Sequence, residues 1–144
     1  MSVDLAPRKD VVLAIVLVNG AYVLQHRDNK PSIASPGLWS LFGGNPEHGE
    51  ATVQAIRREI REELGLDIEV WRELWRVRHY SVFTQQVVRC IVFAADVTNG
   101  WYEHVLGEGQ ATGVFPVNAL PQDMVPLARA LVERYETTLN QTRV

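Results

Sequence analysis

The sequence predicts an α/β (α+β) protein in which a mixed β-sheet is covered by helices. Three observations support this fold class: β-branched apolar runs occur in both halves of the chain, a segment of helical periodicity lies between them, and an amphipathic segment ends the chain. The length of 144 residues is typical of one domain, so we expect residues 1–144 to form a single domain.

The composition excludes several classes of protein. A net charge of −3 argues against a surface that binds a nucleic-acid polymer, although a metal ion could still supply positive charge to a small phosphorylated substrate. No apolar run approaches the ~20 residues of a membrane span, and the N-terminus lacks a signal-like apolar region, so we expect a cytoplasmic protein without membrane contact. Cys90 is the single cysteine, which excludes an internal disulfide, and its apolar neighbours predict burial.

The chain begins with a predicted hairpin. Residues 11–18 form a continuous apolar run, which is typical of a strand buried on both faces. Asn19 and Gly20 follow, and both tolerate the positive φ angles of a two-residue hairpin turn. Residues 21–26 are therefore predicted to return as the second strand.

A loop and a helix come next. Residues 28–37 are dense in Pro, Ser, Asn and Asp and predict a loop, and the short apolar segment 38–42 follows it. Helical periodicity predicts a helix over residues 50–64 that ends at Gly65, a residue favoured after a helix C-terminus. Four side chains at helical spacing form the predicted core-facing stripe: Val53, Ile56, Ile60 and Leu64.

The second half of the chain predicts two long strands and a closing helix. The strands are expected within residues 68–83 and 86–97. Residues 103–113 predict a loop that contains three glycines, and residues 114–117 form a short apolar segment. Residues 124–139 have apolar side chains at helical spacing and predict an amphipathic helix.

Three carboxylates lie close together on the first predicted helix. At ~100° per residue, Glu59 and Glu63 lie one above the other and Glu62 lies beside them. Neighbouring arginines could offset their repulsion, so a solvated face with salt bridges is one interpretation. A metal site is the other, and the spacing of these residues alone does not decide between them.

A wider pattern of fixed spacing surrounds these carboxylates: Gly44, Glu50, Arg58, Glu59, Ile60, Glu62, Glu63, Gly65 and Leu66. This pattern resembles the Nudix box, which runs Gly, five residues, Glu, seven residues, Arg-Glu-aliphatic, one residue, Glu-Glu, one residue, Gly-aliphatic. Every specified position of the box is matched here. The resemblance implies the Nudix α/β/α sandwich, with a mixed sheet between helices.

The resemblance also implies an activity. Nudix hydrolases use Mg²⁺ or Mn²⁺ to cleave the pyrophosphate linkage of a nucleoside diphosphate derivative, such as an NTP, a dNTP or a nucleotide sugar, by attack of water at phosphorus. The expected partner is therefore a small molecule, and a homodimer is a common form in the family. The alternative is a non-catalytic Nudix module that binds or senses a nucleotide.

Roles for individual residues follow from the same resemblance. Glu59, Glu62 and Glu63 match the metal-binding glutamates of the family, and the backbone carbonyl of Gly43 or Gly44 matches a further ligand. Glu59 and Glu62 are also candidates for the catalytic base. Arg58 matches the arginine that pairs with a catalytic glutamate, and Glu50 matches a position that supports the loop.

Two candidates lie outside the box. Glu108, in a Gly-Glu-Gly-Gln segment, resembles the loop glutamate of MutT-like members and is the preferred general base and a candidate metal ligand, with Glu103 as its rival in the same loop. Arg27 matches a substrate-contacting arginine and could pair with phosphate oxygens. Met124 stands where MutT-like members place an asparagine that reads guanine, which argues against oxidised-guanine recognition.

Overall fold

The structure is a computed structural model, and it describes residues 9–32, 35–105 and 111–142. The described residues form seven strands: β1 (Lys9–Val18), β2 (Ala21–His26), β3 (Trp39–Ser40), β4 (Phe42–Gly44), β5 (Arg72–Ser81), β6 (Gln86–Asp96) and β7 (Ala111–Phe115). They also form two α-helices: α1 (Thr52–Leu64) and α2 (Pro126–Thr142). No helix in these parts of the chain is long and apolar enough to cross a membrane.

The strands form one mixed sheet with β1 near its centre. The main order is β3-β2-β1-β6-β5, and β1 and β6 are parallel over most of their length. The remaining pairs are antiparallel, including β4 with the first half of β1 and β7 with β2. Strand β1 thus pairs with β2 at its C-terminal end and with β4 near its middle, through residues 12–14.

Each face of the sheet is covered by one helix. On one face, Val12, Ala14 and Ile91 pack against Ile56 and Ile60 of α1. The opposite face packs against α2 through a second cluster that includes Ile15, Leu24, Val92, Leu131 and Tyr135. This arrangement confirms the predicted α/β/α architecture with a mixed sheet between helices.

The local turn signals are confirmed. Asn19 and Gly20 have φ angles of 50° and 77°, as the hairpin turn requires. Gly65 ends α1 in the left-handed region, and its N–H donates to the carbonyl of Arg61 at 3.0 Å. Cys90 is buried, and burial raises the pKa of its thiol to about 11.

Several element boundaries differ from those predicted. The first helix begins at Thr52 rather than residue 50, because Ala51 is extended and its N–H bonds to the Gln54 side chain. Strand β7 begins at Ala111, inside the predicted loop, because residues 111–115 pair with β2. The last helix begins at Pro126, whose fixed φ suits a first helical position.

The core-facing stripe of α1 also needs a correction. Val53 is 43% exposed, because it lies in the first turn, whereas Ala55 is fully buried in its place. Ile56, Ile60 and Leu64 are buried as predicted.

Candidate active site on helix α1

Two glycines of β4 form the floor of the candidate site. Strand β4 lies so close to β1 that a Cβ added to Gly43 would be 2.0 Å from the carbonyl oxygen of Val12. A Cβ added to Gly44 would instead be 2.4 Å from Oε1 of Glu59. The carboxylate of Glu59 therefore lies directly against the backbone of Gly44, and only glycine allows this approach.

Glu59 and Glu63 form a partly buried carboxylate pair on the side of α1 that faces β4. Burial is the main cause that raises the pKa of Glu63, to about 8, and the charges of Glu59 and Glu62 add to it. Burial likewise raises the pKa of Glu59, while Arg58 opposes that shift. Oε2 of Glu63 is buried and has no hydrogen-bond partner among the residues that the structure describes. A buried carboxylate oxygen without a partner is costly unless a proton or a cation satisfies it.

Arg58 ties the loop before α1 to these carboxylates. Its Nε and Nη2 atoms donate to the two carboxylate oxygens of Glu50 at 2.9 and 3.0 Å, and Nη1 donates to Oε1 of Glu59 at 3.1 Å. The hydrogen bond from Arg58 lowers the pKa of Glu50. Glu50 also accepts from the backbone N–H of Glu47, so it holds the loop as its predicted supporting role requires.

Glu62 lies apart from the pair. Its side chain is 58% exposed, and its Oε2 atom is 3.4 Å from Nη1 of Arg58. In the part of the chain that the structure describes, no three His, Cys, Asp or Glu side chains are arranged as a metal-binding group. The predicted stripe of three glutamates is thus two inward carboxylates and one at the edge, because 100° per residue carries Glu62 toward solvent.

Arg27 is brought to the same site from the end of β2. Its charge lowers the pKa of Glu63, which opposes the effect of burial. Its backbone N–H donates to the carbonyl of Leu38 at 2.9 Å, which fixes the chain where it leaves the strand. The charge of Arg27 therefore acts on the carboxylate pair, and its contact with phosphate stays a prediction.

Of the two candidate general bases outside the box, the structure describes only Glu103. Glu108 lies outside the described residues. Glu103 is exposed at the end of a short 3-10 helix, Thr98–Glu103. It lines a cavity of about 290 Å³ together with Gly65, Asp67 and Asp96, and neither Glu59 nor Glu63 lines that cavity. The role of Glu103 as the rival general base stays a prediction.

Two residues near the site were not predicted. Asn45 accepts a hydrogen bond from Nη2 of Arg58 through its carbonyl and donates from Nδ2 to the carbonyl of Asp10, each at 3.2 Å. Gln25 is buried in β2 and donates to the carbonyl of Leu41 at 3.0 Å. Gln25 could have been found from the sequence, because a glutamine within an apolar strand is unusual. Asn45 gave no such signal, because it occupies a variable position of the box.

Comparison with known proteins decides the family. The family model described as the NUDIX domain matches residues 7–135. The chain belongs to the Nudix family. This Nudix protein is 35% identical over 96 residues to the nucleoside triphosphatase NudI of Enterobacter sp. (strain 638), a match that covers 62% of this chain and 67% of that relative.

Solved structures agree with this membership. The MutT NUDIX hydrolase from Burkholderia pseudomallei superposes with a TM-score of 0.75 at 28% identity, covering 87% of this chain and 95% of that one. The MutT protein from Methanosarcina mazei Go1 has the same fold, with a TM-score of 0.78 at 21% identity and coverage of 95% and 98%. The predicted family and enzyme class, a Nudix pyrophosphohydrolase, are confirmed. The roles of individual residues stay predictions.

Proposed function

We propose that this Nudix hydrolase uses Mg²⁺ or Mn²⁺ to cleave the pyrophosphate linkage of a nucleoside diphosphate derivative, with a nucleoside triphosphate or its deoxy form as the first candidate. The observation that carries the proposal is the pair of inward carboxylates, Glu59 and Glu63, of which Glu59 lies against the backbone of Gly44. The similarity to a nucleoside triphosphatase favours triphosphates over nucleotide sugars.

The chemistry of the donors fits a hard divalent cation. Mg²⁺ and Mn²⁺ prefer oxygen ligands, and the Glu59 carboxylate lies beside the backbone of Gly44, with that of Glu63 next to it on α1. Within the described parts of the chain, the buried Oε2 atom of Glu63 lacks a hydrogen-bond partner, and a cation would satisfy it. We assign the metal to Glu59 and Glu63, with Glu62, Glu108 and the carbonyl of Gly43 or Gly44 as the further predicted ligands. Lewis-acid stabilisation of the phosphate oxygens is the chemistry that such an ion supplies when it is bound.

The protein's own residues then account for binding and proton transfer. Arg27 pairs with phosphate oxygens, and Arg58 holds Glu59 in place. Water attacks one phosphorus of the linkage, the bond from that phosphorus to the bridging oxygen breaks, and the bridging oxygen leaves with the bonding electrons. The proton of the attacking water passes to a glutamate, for which Glu108 is the preferred candidate and Glu59 or Glu62 the alternatives.

A substrate panel tests this proposal. The full chain is incubated with NTPs, dNTPs, oxidised nucleotides, nucleotide sugars and dinucleoside polyphosphates, each with Mg²⁺, with Mn²⁺ or with EDTA. We expect a triphosphate to yield the monophosphate and pyrophosphate only with metal, and Glu63→Gln to lose turnover by two orders of magnitude or more, on the order of the loss seen when a key catalytic interaction is removed. Glu133→Gln, an exposed change on α2, is the matched control.

The non-catalytic nucleotide-sensing module is the alternative function. It requires that the protein bind a nucleotide without turning it over. If no member of the panel is hydrolysed, and calorimetry still detects binding that Arg27→Gln weakens, the sensing function replaces the enzymatic one.

A further inference from the structure

Gln25 is the only buried polar residue among those that the structure describes, with 6% of its surface exposed. Burying an amide in an apolar core is unfavourable unless a hydrogen bond compensates for the lost water. The compensating bond runs from Nε2 of Gln25 to the carbonyl oxygen of Leu41, at 3.0 Å. The buried Gln25 side chain therefore satisfies one backbone group, the carbonyl of Leu41.

Leu41 marks the place where the chain changes partners. The residues before it form β3, in which Ser40 pairs with Gln25 of β2. The residues after it form β4, in which Phe42 pairs with Ala14 of β1. Leu41 belongs to neither strand, and its carbonyl bonds to a side chain instead of continuing either ladder. Gln25 thus fixes the start of β4.

Strand β4 packs closely against both β1 and the Glu59 side chain of α1. Side chains alternate along a strand, so Gln25 points to the same face as Val23, which packs in the α1 cluster. One residue after Phe42, Gly43 lies tightly against Val12, and Gly44 lies tightly against the carboxylate of Glu59. A small shift of β4 would therefore move the backbone of Gly44 relative to Glu59.

We propose that Gln25 is a positioning residue for the metal site, acting through Leu41 on the backbone of Gly43 and Gly44. This inference rests on the proposed function, because it assumes that a divalent cation is bound beside Gly44. Gln25 has no role in the chemistry itself. Its loss should weaken metal binding while leaving the assembled site able to turn over substrate when the metal is saturating.

Binding of Mn²⁺ alone to the full chain tests the proposal, with free Mn²⁺ followed by electron paramagnetic resonance. Gln25→Met keeps the length of the side chain and removes the donor. We expect its Kd for Mn²⁺ to rise about tenfold, the lower end of what loss of an outer-shell partner causes. Leu24→Met, a similar change on the opposite face of β2, is the control and should leave the Kd unchanged.

Hydrogen exchange supplies the second measurement. We expect faster amide exchange at Phe42, Gly43 and Gly44 in Gln25→Met, with the exchange of α2 unchanged. An unchanged Kd together with unchanged exchange in β4 overturns the proposal. So does a lower melting temperature without a change in Kd, since that is the result of a purely structural role.

Two further outcomes are distinguished by design. If the wild-type chain itself does not bind Mn²⁺, the proposed function fails, and with it the positioning role. If the wild type binds and Gln25→Met binds equally well, only the positioning role fails. Should Gln25→Met not fold, Gln25→Asn replaces it, because its shorter amide stays polar but withdraws from Leu41, and the same rise in Kd is expected.

Discussion

Arg58 and Glu50 form a two-point ion pair in which both side chains are largely buried, with exposures of 20% and 15%. The pair joins the loop before α1 to the second turn of the helix. The same guanidinium also donates a hydrogen bond to Glu59. The position of the Glu59 carboxylate therefore depends on the planar guanidinium of Arg58, which presents several N–H donors at fixed angles.

Arg58→Lys tests this dependence. An ammonium group cannot bond Glu50 at two points and Glu59 at a third, so we expect kcat to fall by about tenfold or more with the fold intact. Arg57→Lys is the control, because Arg57 makes a similar two-point pair with Asp67 away from the carboxylates. Equal kcat values for the two variants would contradict the assigned role.

Gly44→Ala should reduce turnover without lowering the stability of the fold. The added methyl group meets only the end of the flexible Glu59 side chain, which can move aside at small cost. We expect a melting temperature close to that of the wild type and a loss of turnover on the order of 10- to 100-fold. Gly100→Ala, where nothing lies within 4 Å of the added carbon, should change neither quantity.

Gly43→Ala should have the opposite effect. Its methyl group would lie 2.0 Å from the carbonyl oxygen of Val12, and a backbone group cannot move aside without breaking the pairing of β4 with β1. We expect a loss of about 2–4 kcal/mol in the free energy of unfolding, measured by urea denaturation. A stable but inactive Gly43→Ala protein would show that this close contact is not needed for the fold.

Glu63 should make the metal-free protein sensitive to pH. Its folded pKa of about 8 lies above the ordinary value of 4.5, so the folded state binds the proton more tightly than the unfolded state does. This contribution to stability is fully present below about pH 4.5 and is lost as the pH rises through 8. In EDTA, we expect the melting temperature of the wild type to fall by several degrees over this window relative to that of Glu63→Gln.

The control for this titration is Glu133→Gln, which should follow the wild-type curve because Glu133 is exposed on α2. Added Mn²⁺ should stabilise the wild type more at pH 8 than at pH 6, since the cation competes with the proton. Parallel curves for the wild type and Glu63→Gln would exclude the proposed titration.

Arg27→Gln should act mainly on substrate binding. Loss of a charge-assisted hydrogen bond to phosphate costs roughly 1.5–3 kcal/mol, which corresponds to at least a tenfold rise in KM. Steady-state kinetics measures this, and Arg134→Gln is the control because Arg134 packs over Trp75 on the α2 side of the sheet. A fall in kcat at unchanged KM would instead place Arg27 in the chemical step.

Local features were predictable from the sequence because local chemistry determines them. The turn at Asn19 and Gly20, the end of α1 at Gly65 and the buried residues Ile56 and Ile60 all follow from backbone preference or helical period. The box spacing likewise predicts that Arg58 pairs with a glutamate of the site, and Arg58 donates a hydrogen bond to Glu59.

Features that depend on distant partners were not predictable. The apolar segment 38–42 divides into two strands at Leu41 because Gln25, sixteen residues earlier, takes its carbonyl. Ala111 joins a strand because β2 is available to pair with it. The helical period places Glu62 to one side of Glu59 and Glu63, but its exposure also depends on how closely β4 packs against α1, which the sequence of α1 alone does not set.

The parallel pairing of β1 with β6 also has a consequence for how the molecule forms. The pair aligns Lys9 with Val88 and Leu17 with Asp96, so its partners are 79 residues apart in sequence. Closing so long a loop is slow, because conformational entropy is lost before the contacts between the two strands can compensate for it. On a ribosome, we expect the hairpin of β1 and β2 to form early, and the pairing of β1 with β6 to follow only after β6 has emerged.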